Sequence, residues 1–97
     1  MNRAHVLAIL REQQPVLAER FHARDVGLFG SAARDELRAD SDIDILVDFE
    51  GPTTFERYFG MKDHLEAALS RPVDLVTVTG LKPRARAHVE RDLIRVS

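Results

Sequence analysis

The stretch VGLFGSAARDELRADSDIDILVDF, residues 26–49, decides the fold. An apolar run over 26–29 stops at Gly30-Ser31, a polar segment follows, and Asp42-Ile43-Asp44 opens a second apolar run. Apolar and β-branched residues favour strands, and glycine adopts the backbone angles that a tight turn needs. The stretch therefore predicts a strand, a turn, one short helix and a second strand.

The Gly30-Ser31 pair has the composition of a phosphate-binding turn. Ser31 is a good N-cap for a helix that starts at the next residue, and a helix start offers backbone N–H groups and partial positive charge to an anion. Arg34 lies one turn further on, where its planar guanidinium can reach the same anion. Taken alone, the pair is more typical of an ordinary strand–turn–helix with a serine cap. The acids that follow favour the phosphate site.

Asp42 and Asp44 stand at the start of the second strand and are expected to share one of its faces. Alternate strand residues point the same way, so the two carboxylates lie about 6–7 Å apart along the backbone. Like charges this close repel each other, and Mg²⁺ would relieve the repulsion because hard cations take oxygen ligands. An isolated Asp-x-Asp is equally compatible with an exposed acidic strand end. Its spacing from the glycine-serine turn favours a metal site.

Gly30-Ser31, ten intervening residues and Asp42-x-Asp44 together resemble the signature of the DNA polymerase beta-type nucleotidyltransferase superfamily. The segment GSAARDELRADSDIDILVDF is most similar to its minimal nucleotidyltransferases (MNT, or MntA-like antitoxins), and the similarity runs over nearly the whole chain. Relatives commonly have glycine where this chain has Asp35, whose carboxylate would weaken triphosphate binding unless it points to solvent. The resemblance implies the nucleotidyltransferase fold, an α/β (α+β) class with a small mixed β-sheet and helices on one face.

A third acid, Asp74, stands in a strand predicted over 73–79. On sequence alone it is equally well explained as an aspartate at the solvated rim of a sheet. If this strand lies beside the second one, Asp74 completes a carboxylate triad with Asp42 and Asp44. The resemblance implies that arrangement, because the superfamily carries its third acid at this place on the adjacent strand.

The remaining elements follow from helical spacing of apolar residues. Helices are predicted over 2–12, from Pro15 to about 21 or 22, from a Thr53 or Thr54 cap to about 70, and over 84–91. Pro15 is expected to end one helix and start another because proline has no backbone N–H. Residues 93–96 are either a short edge strand or a packed tail. The apolar positions of the third helix are expected to be core: Phe55, Tyr58, Phe59, Met61, Leu65, Ala68 and Leu69.

Two features of these later helices carry weaker signals. Gly60, in the middle of the third helix, marks a kink or a close approach to a neighbouring element. The last helix is basic and is expected to turn Ala85, His88 and Val89 inward. Its cations are interpreted as a solvated face rather than a site for a nucleotide or an acidic partner: Lys82, Arg84, Arg86 and Arg91.

Composition restricts the function classes. The 97 residues are expected to form one domain, 1–97, and the formal net charge of −2 gives no general attraction to nucleic acid. Cysteine is absent, which excludes disulfides and thiol chemistry and fits a cytoplasmic protein. No apolar run approaches the roughly 20 residues of a membrane span. We therefore expect no direct contact with membrane or nucleic acid.

The resemblance implies metal-dependent nucleotidyl transfer from ATP. Asp42 and Asp44 would hold two Mg²⁺ ions, with Mn²⁺ as the alternative metal. Asp74 would hold one of these ions and help to deprotonate the acceptor hydroxyl. Gly30 and Ser31 would bind the β- and γ-phosphates, and Arg34 would neutralise charge on the leaving pyrophosphate. Because the chain is too short for an acceptor-binding domain, the acceptor is expected on another molecule. In this family that implies a HEPN-type ribonuclease toxin, modified with AMP on a tyrosine.

Two other functions stay open at this point. The first is a nucleotidyltransferase that modifies a small hydroxyl compound together with a separate helical subunit. The second is a non-catalytic antitoxin that neutralises its partner by binding, with the acids as a relic of an ancestral enzyme.

Overall fold

The computed structural model describes residues 1–96, which form a four-stranded sheet and four helices. The elements are α1 (Arg3–Phe21), β1 (Ala23–Phe29), α2 (Gly30–Ala33), β2 (Ile43–Phe49), α3 (Phe55–Leu69), β3 (Val73–Thr77), α4 (Pro83–Asp92) and β4 (Ile94–Arg95). The strand order is β3-β2-β1-β4, with β2 parallel to β3 and β1 antiparallel to both of its neighbours. The predicted mixed sheet is confirmed, and β4 realises the edge-strand alternative.

One face of the sheet carries the core. Strand β2 alternates as predicted, with Ile43, Ile45, Val47 and Phe49 buried and the residues between them partly exposed. Helices α1 and α3 pack against this face and against each other. Asp44, Leu46 and Asp48 lie on the opposite face, where Leu46 and Val78 line a cavity that α4 also borders. The acids of β2 are therefore kept out of the core.

Helix α1 runs past Pro15 without interruption, so the predicted break there is wrong. Proline inside a helix costs about 3 kcal/mol because it removes one hydrogen bond and crowds the preceding turn. Each buried aliphatic or aromatic side chain contributes about 1.5–3 kcal/mol, and a continuous helix buries side chains on both sides of the proline. They are Val6, Leu7 and Leu10 before it and Leu17 and Phe21 after it. Packing against α3 and β1 therefore outweighs the local cost.

Helix α3 begins at its predicted cap but buries a narrower stripe than predicted. The hydroxyl of Thr54 accepts a hydrogen bond from the backbone N–H of Arg57 at 3.1 Å. Met61, Leu65 and Leu69 are fully buried, and Tyr58 donates its hydroxyl to the carbonyl of Leu75 at 2.5 Å. The prediction that Phe55 and Phe59 are core residues is wrong, since they are 76% and 42% exposed. They project to one side of the buried stripe and pack on each other, with ring centroids 4.5 Å apart.

Gly60 marks a close approach between two helices. A Cβ atom at this position would lie 2.8 Å from Cε1 of Phe21 in α1, nearer than side-chain packing allows. The absence of a side chain thus lets α3 rest on the ring of Phe21. Glycine costs about 1 kcal/mol relative to alanine in a helix. Here the glycine is needed because any larger side chain would prevent the close contact with Phe21.

Helix α4 buries only Val89 among its residues. Ala85 and His88 are exposed, contrary to the predicted inward direction, and the four cations of the basic cluster are exposed as well. The helix is short and mostly polar, and Val89 is the apolar side chain through which it packs against the rest of the protein. None of the helices within residues 1–96 combines the length and the apolar character needed to cross a bilayer.

Candidate active site

Three strand ends meet at one edge of the sheet. Phe29, the last residue of β1, pairs with Asp44 of β2, and Asp44 pairs on its other side with Asp74 of β3. Because β2 and β3 are parallel, both begin at this edge, whereas the antiparallel β1 ends here. Gly30 directly follows Phe29, so the turn and two of the predicted acids are brought together.

Gly30 fits against Asp44 in a way that no other residue could. Its φ of 70° lies in the left-handed region that favours glycine. A Cβ atom at Gly30 would overlap the carboxylate of Asp44, with Cγ only 2.9 Å and Cβ only 3.2 Å away. The glycine of the turn therefore lets the backbone of α2 touch the acidic side chain.

Ser31 follows as the second residue of α2 and does not cap it, so that prediction is wrong. The cap position belongs to Phe29, which makes no side-chain hydrogen bond to the helix. The helix starts two residues earlier than predicted because Gly30 itself adopts the turn that opens it. Ser31 is half-buried, and its carbonyl accepts a hydrogen bond from the N–H of Glu36 at 2.8 Å. Its hydroxyl remains at the first turn of α2, beside Gly30.

Burial and neighbouring charges act strongly on Asp44. The pKa of Asp44 is raised from 3.8 to about 6, most of all by burial and then by the charges of Asp74 and Asp42 and a side-chain hydrogen bond with Asp74. The charge of Arg34 lowers the same pKa. The four predicted residues thus act on one another electrostatically, and the acids repel each other in the absence of a cation.

Asp42 lies just before β2, which starts one residue later than predicted, and its side chain is exposed. Arg71 holds the loop that leads to it: its guanidinium donates to the carbonyl of Ser41 at 2.8 Å and to the carbonyl of Arg38. The N–H of Ile43 donates to the carbonyl of Pro72 at 3.0 Å, which ties the loop to the start of β3. Sequence reasoning missed Arg71, because its two contacts lie more than 29 residues away along the chain.

Arg34 makes ion pairs that the sequence did not reveal. Its guanidinium donates to the carboxylate of Asp92 at 2.6 Å and approaches Glu36 at 3.5 Å. The hydrogen bond to Asp92 raises the pKa of Arg34 further above its usual range. Arg34 is thus fixed between α2 and the end of α4 and lies near enough to Asp44 to act on its charge.

Asp35 is turned away from the turn that the acids flank. Its φ of 61° is again left-handed, which gives a physical reason for a glycine at this position. Its carboxylate accepts a hydrogen bond from the backbone N–H of Arg3 at 2.8 Å, at the positive end of α1. The carboxylate therefore neither points freely to solvent nor faces the predicted phosphate site.

The acids suit a hard cation in their chemistry. All three donors are carboxylates. Burial is the main cause of the raised pKa of Asp44, and repulsion by Asp74 and Asp42 adds to it; a divalent cation would offset that repulsion. Within residues 1–96, no three acidic or histidine side chains already stand in a finished metal-binding cluster. Asp44 and Asp74 form the close pair, and the exposed Asp42 would complete the set by turning its side chain toward them.

Known proteins share this arrangement of elements. The family model described as a nucleotidyltransferase domain matches residues 10–96. The protein adenylyltransferase MntA of Thermococcus cleftensis is 40% identical over 89 residues, which cover 92% of this chain and 90% of that protein. A solved structure described as a minimal nucleotidyltransferase has a TM-score of 0.82 and 41% identity, covering 97% of this chain and 95% of that chain.

A more distant structure shares the fold alone. It contains a tri-AMPylated HEPN toxin of Shewanella oneidensis in complex with an MNT antitoxin, and it matches with a TM-score of 0.69 and 19% identity. The match covers 94% of this chain and 71% of that chain. Since the family model and the Thermococcus relative both span most of the sequence, this chain belongs to the nucleotidyltransferase family of enzymes, among its MntA-like minimal members.

Proposed function

We propose that this protein is the antitoxin of a HEPN/MNT pair, and that it transfers AMP from ATP to a tyrosine of its partner ribonuclease. The observation that carries the proposal is the contact of Gly30 with Asp44, which itself pairs with Asp74. It unites a turn suited to phosphate with carboxylates suited to a divalent metal. The relative named protein adenylyltransferase and the AMPylated toxin complex support the choice of AMP and of a protein acceptor.

The metal is part of the proposal. Asp42, Asp44 and Asp74 would hold Mg²⁺, with Mn²⁺ as the alternative. When bound, such ions stabilise the attacking and the leaving oxygens of a phosphoryl displacement. The cation also removes the repulsion that raises the pKa of Asp44, so binding and folding favour each other.

The chain's own residues would orient the nucleotide and accept the proton. Gly30 and Ser31 bind the β- and γ-phosphates through the first turn of α2, and Arg34 neutralises charge that develops on the leaving pyrophosphate. The acceptor oxygen forms a bond to the α-phosphorus while the bond from that phosphorus to the bridging oxygen breaks. Asp74, which is exposed at the edge of the sheet, takes the proton of the acceptor hydroxyl.

ATP and the proposed ribonuclease partner occur in the cytoplasm, and we therefore place the reaction there.

Asp35 does not oppose triphosphate binding, because its carboxylate is engaged with the backbone N–H of Arg3. The departure from the glycine of relatives thus leaves the predicted phosphate site without an added negative charge.

The test is intact-mass analysis of a candidate HEPN ribonuclease partner after incubation with this protein, ATP and Mg²⁺. We expect the ribonuclease to gain the mass of one or more AMP groups and to lose its activity. The double variant Asp42→Asn/Asp44→Asn should add none. Asp48→Asn is the matched control, since Asp48 lies on the same face of β2 near the opposite end of the strand from Asp44, and pairs with Arg24.

Other outcomes would support the alternatives. If the double variant silences the ribonuclease as well as the natural protein does, without any mass change, the protein neutralises by binding. If AMP appears only on a small hydroxyl compound, the acceptor class is wrong although the chemistry is right.

A further inference from the structure

Asp92 occupies an unfavourable position for an acidic side chain. It is the last residue of α4, where the helix dipole places partial negative charge that repels a carboxylate. Its side chain is only 19% exposed, so water screens this repulsion poorly. A carboxylate at this point needs a cationic partner, and Arg34 provides it at 2.6 Å.

Arg34 in turn depends on Asp92 more than on its nearer neighbour in sequence. Glu36 stands 3.5 Å away and is 64% exposed, whereas Asp92 is closer and more buried. Arginine has a long, flexible side chain, and holding it in one direction costs conformational entropy. The contact with Asp92 fixes the guanidinium in advance, between the end of α2 and the end of α4.

The geometry leaves donors of Arg34 available for a second anion. A guanidinium carries five N–H groups in a planar fork, so it can bind a carboxylate along one edge and a phosphate along another. The Nη1 atom serves Asp92 and Nε faces Glu36 at 3.5 Å, while Arg34 directly follows α2, whose first residue, Gly30, touches Asp44. Asp92 therefore does not have to leave before a nucleotide arrives.

We propose that Asp92 is a positioning residue of the active site: it holds the Arg34 guanidinium ready for the triphosphate and thereby makes α4 part of the nucleotide-binding structure. The inference rests on the proposed function and extends it to a helix that contributes no residue to the signature. If Asp92 instead only kept Arg34 away from the nucleotide, removing the charge of Asp92 would strengthen nucleotide binding.

The experiment measures the dissociation constant of Mg²⁺ and a non-hydrolysable ATP analogue by titration calorimetry. Asp92→Asn keeps the shape and removes the charge, and we expect it to weaken binding about two- to fivefold, the effect of losing a half-exposed ion pair. Asp92→Glu should recover part of the affinity. The matched control Glu36→Gln removes the negative charge of the other acceptor of Arg34 and should bind nucleotide as the natural protein does.

A double-mutant cycle separates positioning from a structural effect. With Arg34→Ala in place, Asp92→Asn should cause no further loss of affinity, because it acts only through Arg34. Unchanged or tighter binding by Asp92→Asn, or an equal loss in the Arg34→Ala background, would overturn the role of Asp92. If the natural protein itself binds no nucleotide, the proposed function fails and this inference fails with it.

Discussion

The backbone angle and the surroundings of position 30 explain why a glycine stands before the serine of the turn. Two separate reasons act at this position: the left-handed φ of 70° and the carboxylate of Asp44 in the space of a side chain. The first reason is about stability and the second is about the placement of an acid. Gly51 has a similar φ of 80°, yet a Cβ atom there would meet only the side chain of Arg57, at 3.5 Å. The two glycines therefore allow the two effects to be separated.

We expect Gly30→Ala to abolish AMP transfer, with a loss of at least about 100-fold, because the new methyl group displaces Asp44 and a misplaced catalytic group costs about this much. The strained backbone should also lower the free energy of unfolding by about 1 kcal/mol. Gly51→Ala should lower stability by a similar amount and leave transfer unchanged. Thermal unfolding and the transfer assay together check both. Retained transfer in Gly30→Ala would refute the importance of the close contact.

Residue patterns predicted what is local and missed what is distant. The turn and the two strands beside it follow from composition and spacing, since a strand and its turn are specified by adjacent residues. The place of Asp74 beside Asp44 followed only from the resemblance to the nucleotidyltransferases, because the pairing of its strand is not encoded locally. The ion pair of Arg34 with Asp92 spans 58 residues, and the hydrogen bond of Arg3 with Asp35 spans 32. Such contacts depend on how whole elements pack, and no local pattern encodes them.

At the scale of the element, local rules compete with packing. Thr54 obeys the capping rule, because its hydroxyl is free to meet an N–H of the first turn. Pro15 and Ser31 do not follow their local rules: a buried face carries α1 through the proline, and Gly30 opens α2 ahead of the serine. Element bounds are therefore predictable at exposed helix starts and less so where side chains are buried on both sides of a breaker.

The cap of α3 provides a prediction at this scale. Thr54→Ala should lower the free energy of unfolding by about 1 kcal/mol, which lowers the melting temperature of a domain this size by about 4–8 °C. Thr53→Ala is the matched control, since Thr53 lies one residue outside the cap, and it should leave the melting temperature unchanged. Both variants should transfer AMP normally, because α3 begins beyond the far end of β2. An equal loss in both would show that the hydroxyl of Thr54 contributes nothing as a cap.

At the scale of the whole molecule, the sheet topology concentrates charge. The parallel pairing of β2 with β3 sets Asp44 beside Asp74, and the antiparallel β1 brings Gly30 to the same edge. The sequence alone could not fix these directions, because a short helix between β1 and β2 is compatible with either one. The result is a fold that keeps a repelling pair of acids in place and that a neutralising cation would stabilise.

The pH dependence of stability should reveal the cost of keeping Asp44 ionised, which comes first from its burial and then from repulsion by Asp74 and Asp42. Because the folded-state pKa of Asp44 is about 6 and its ordinary value is 3.8, the folded chain binds the proton more tightly than the unfolded chain does. The contribution of Asp44 to stability is therefore full below pH 3.8 and is lost as the pH rises through about 6. In EDTA, Asp44→Asn should raise stability at pH 8 by about 1 kcal/mol, a value reduced for partial exposure to solvent.

Mg²⁺ should restore the stability that the natural protein loses as the pH rises, and it should not stabilise Asp44→Asn in this way. A cation that binds only the folded chain stabilises it by about 2.7 kcal/mol at 100 times its dissociation constant, and it binds the ionised acids, so the gain should grow from pH 5 to pH 8. Chemical denaturation in EDTA and in Mg²⁺ at both values checks this, with Asp48→Asn as the control that keeps the full response. Equal stabilisation of the natural protein and of Asp44→Asn by Mg²⁺ would mean that the ion binds elsewhere, and the proposed metal site would then be wrong.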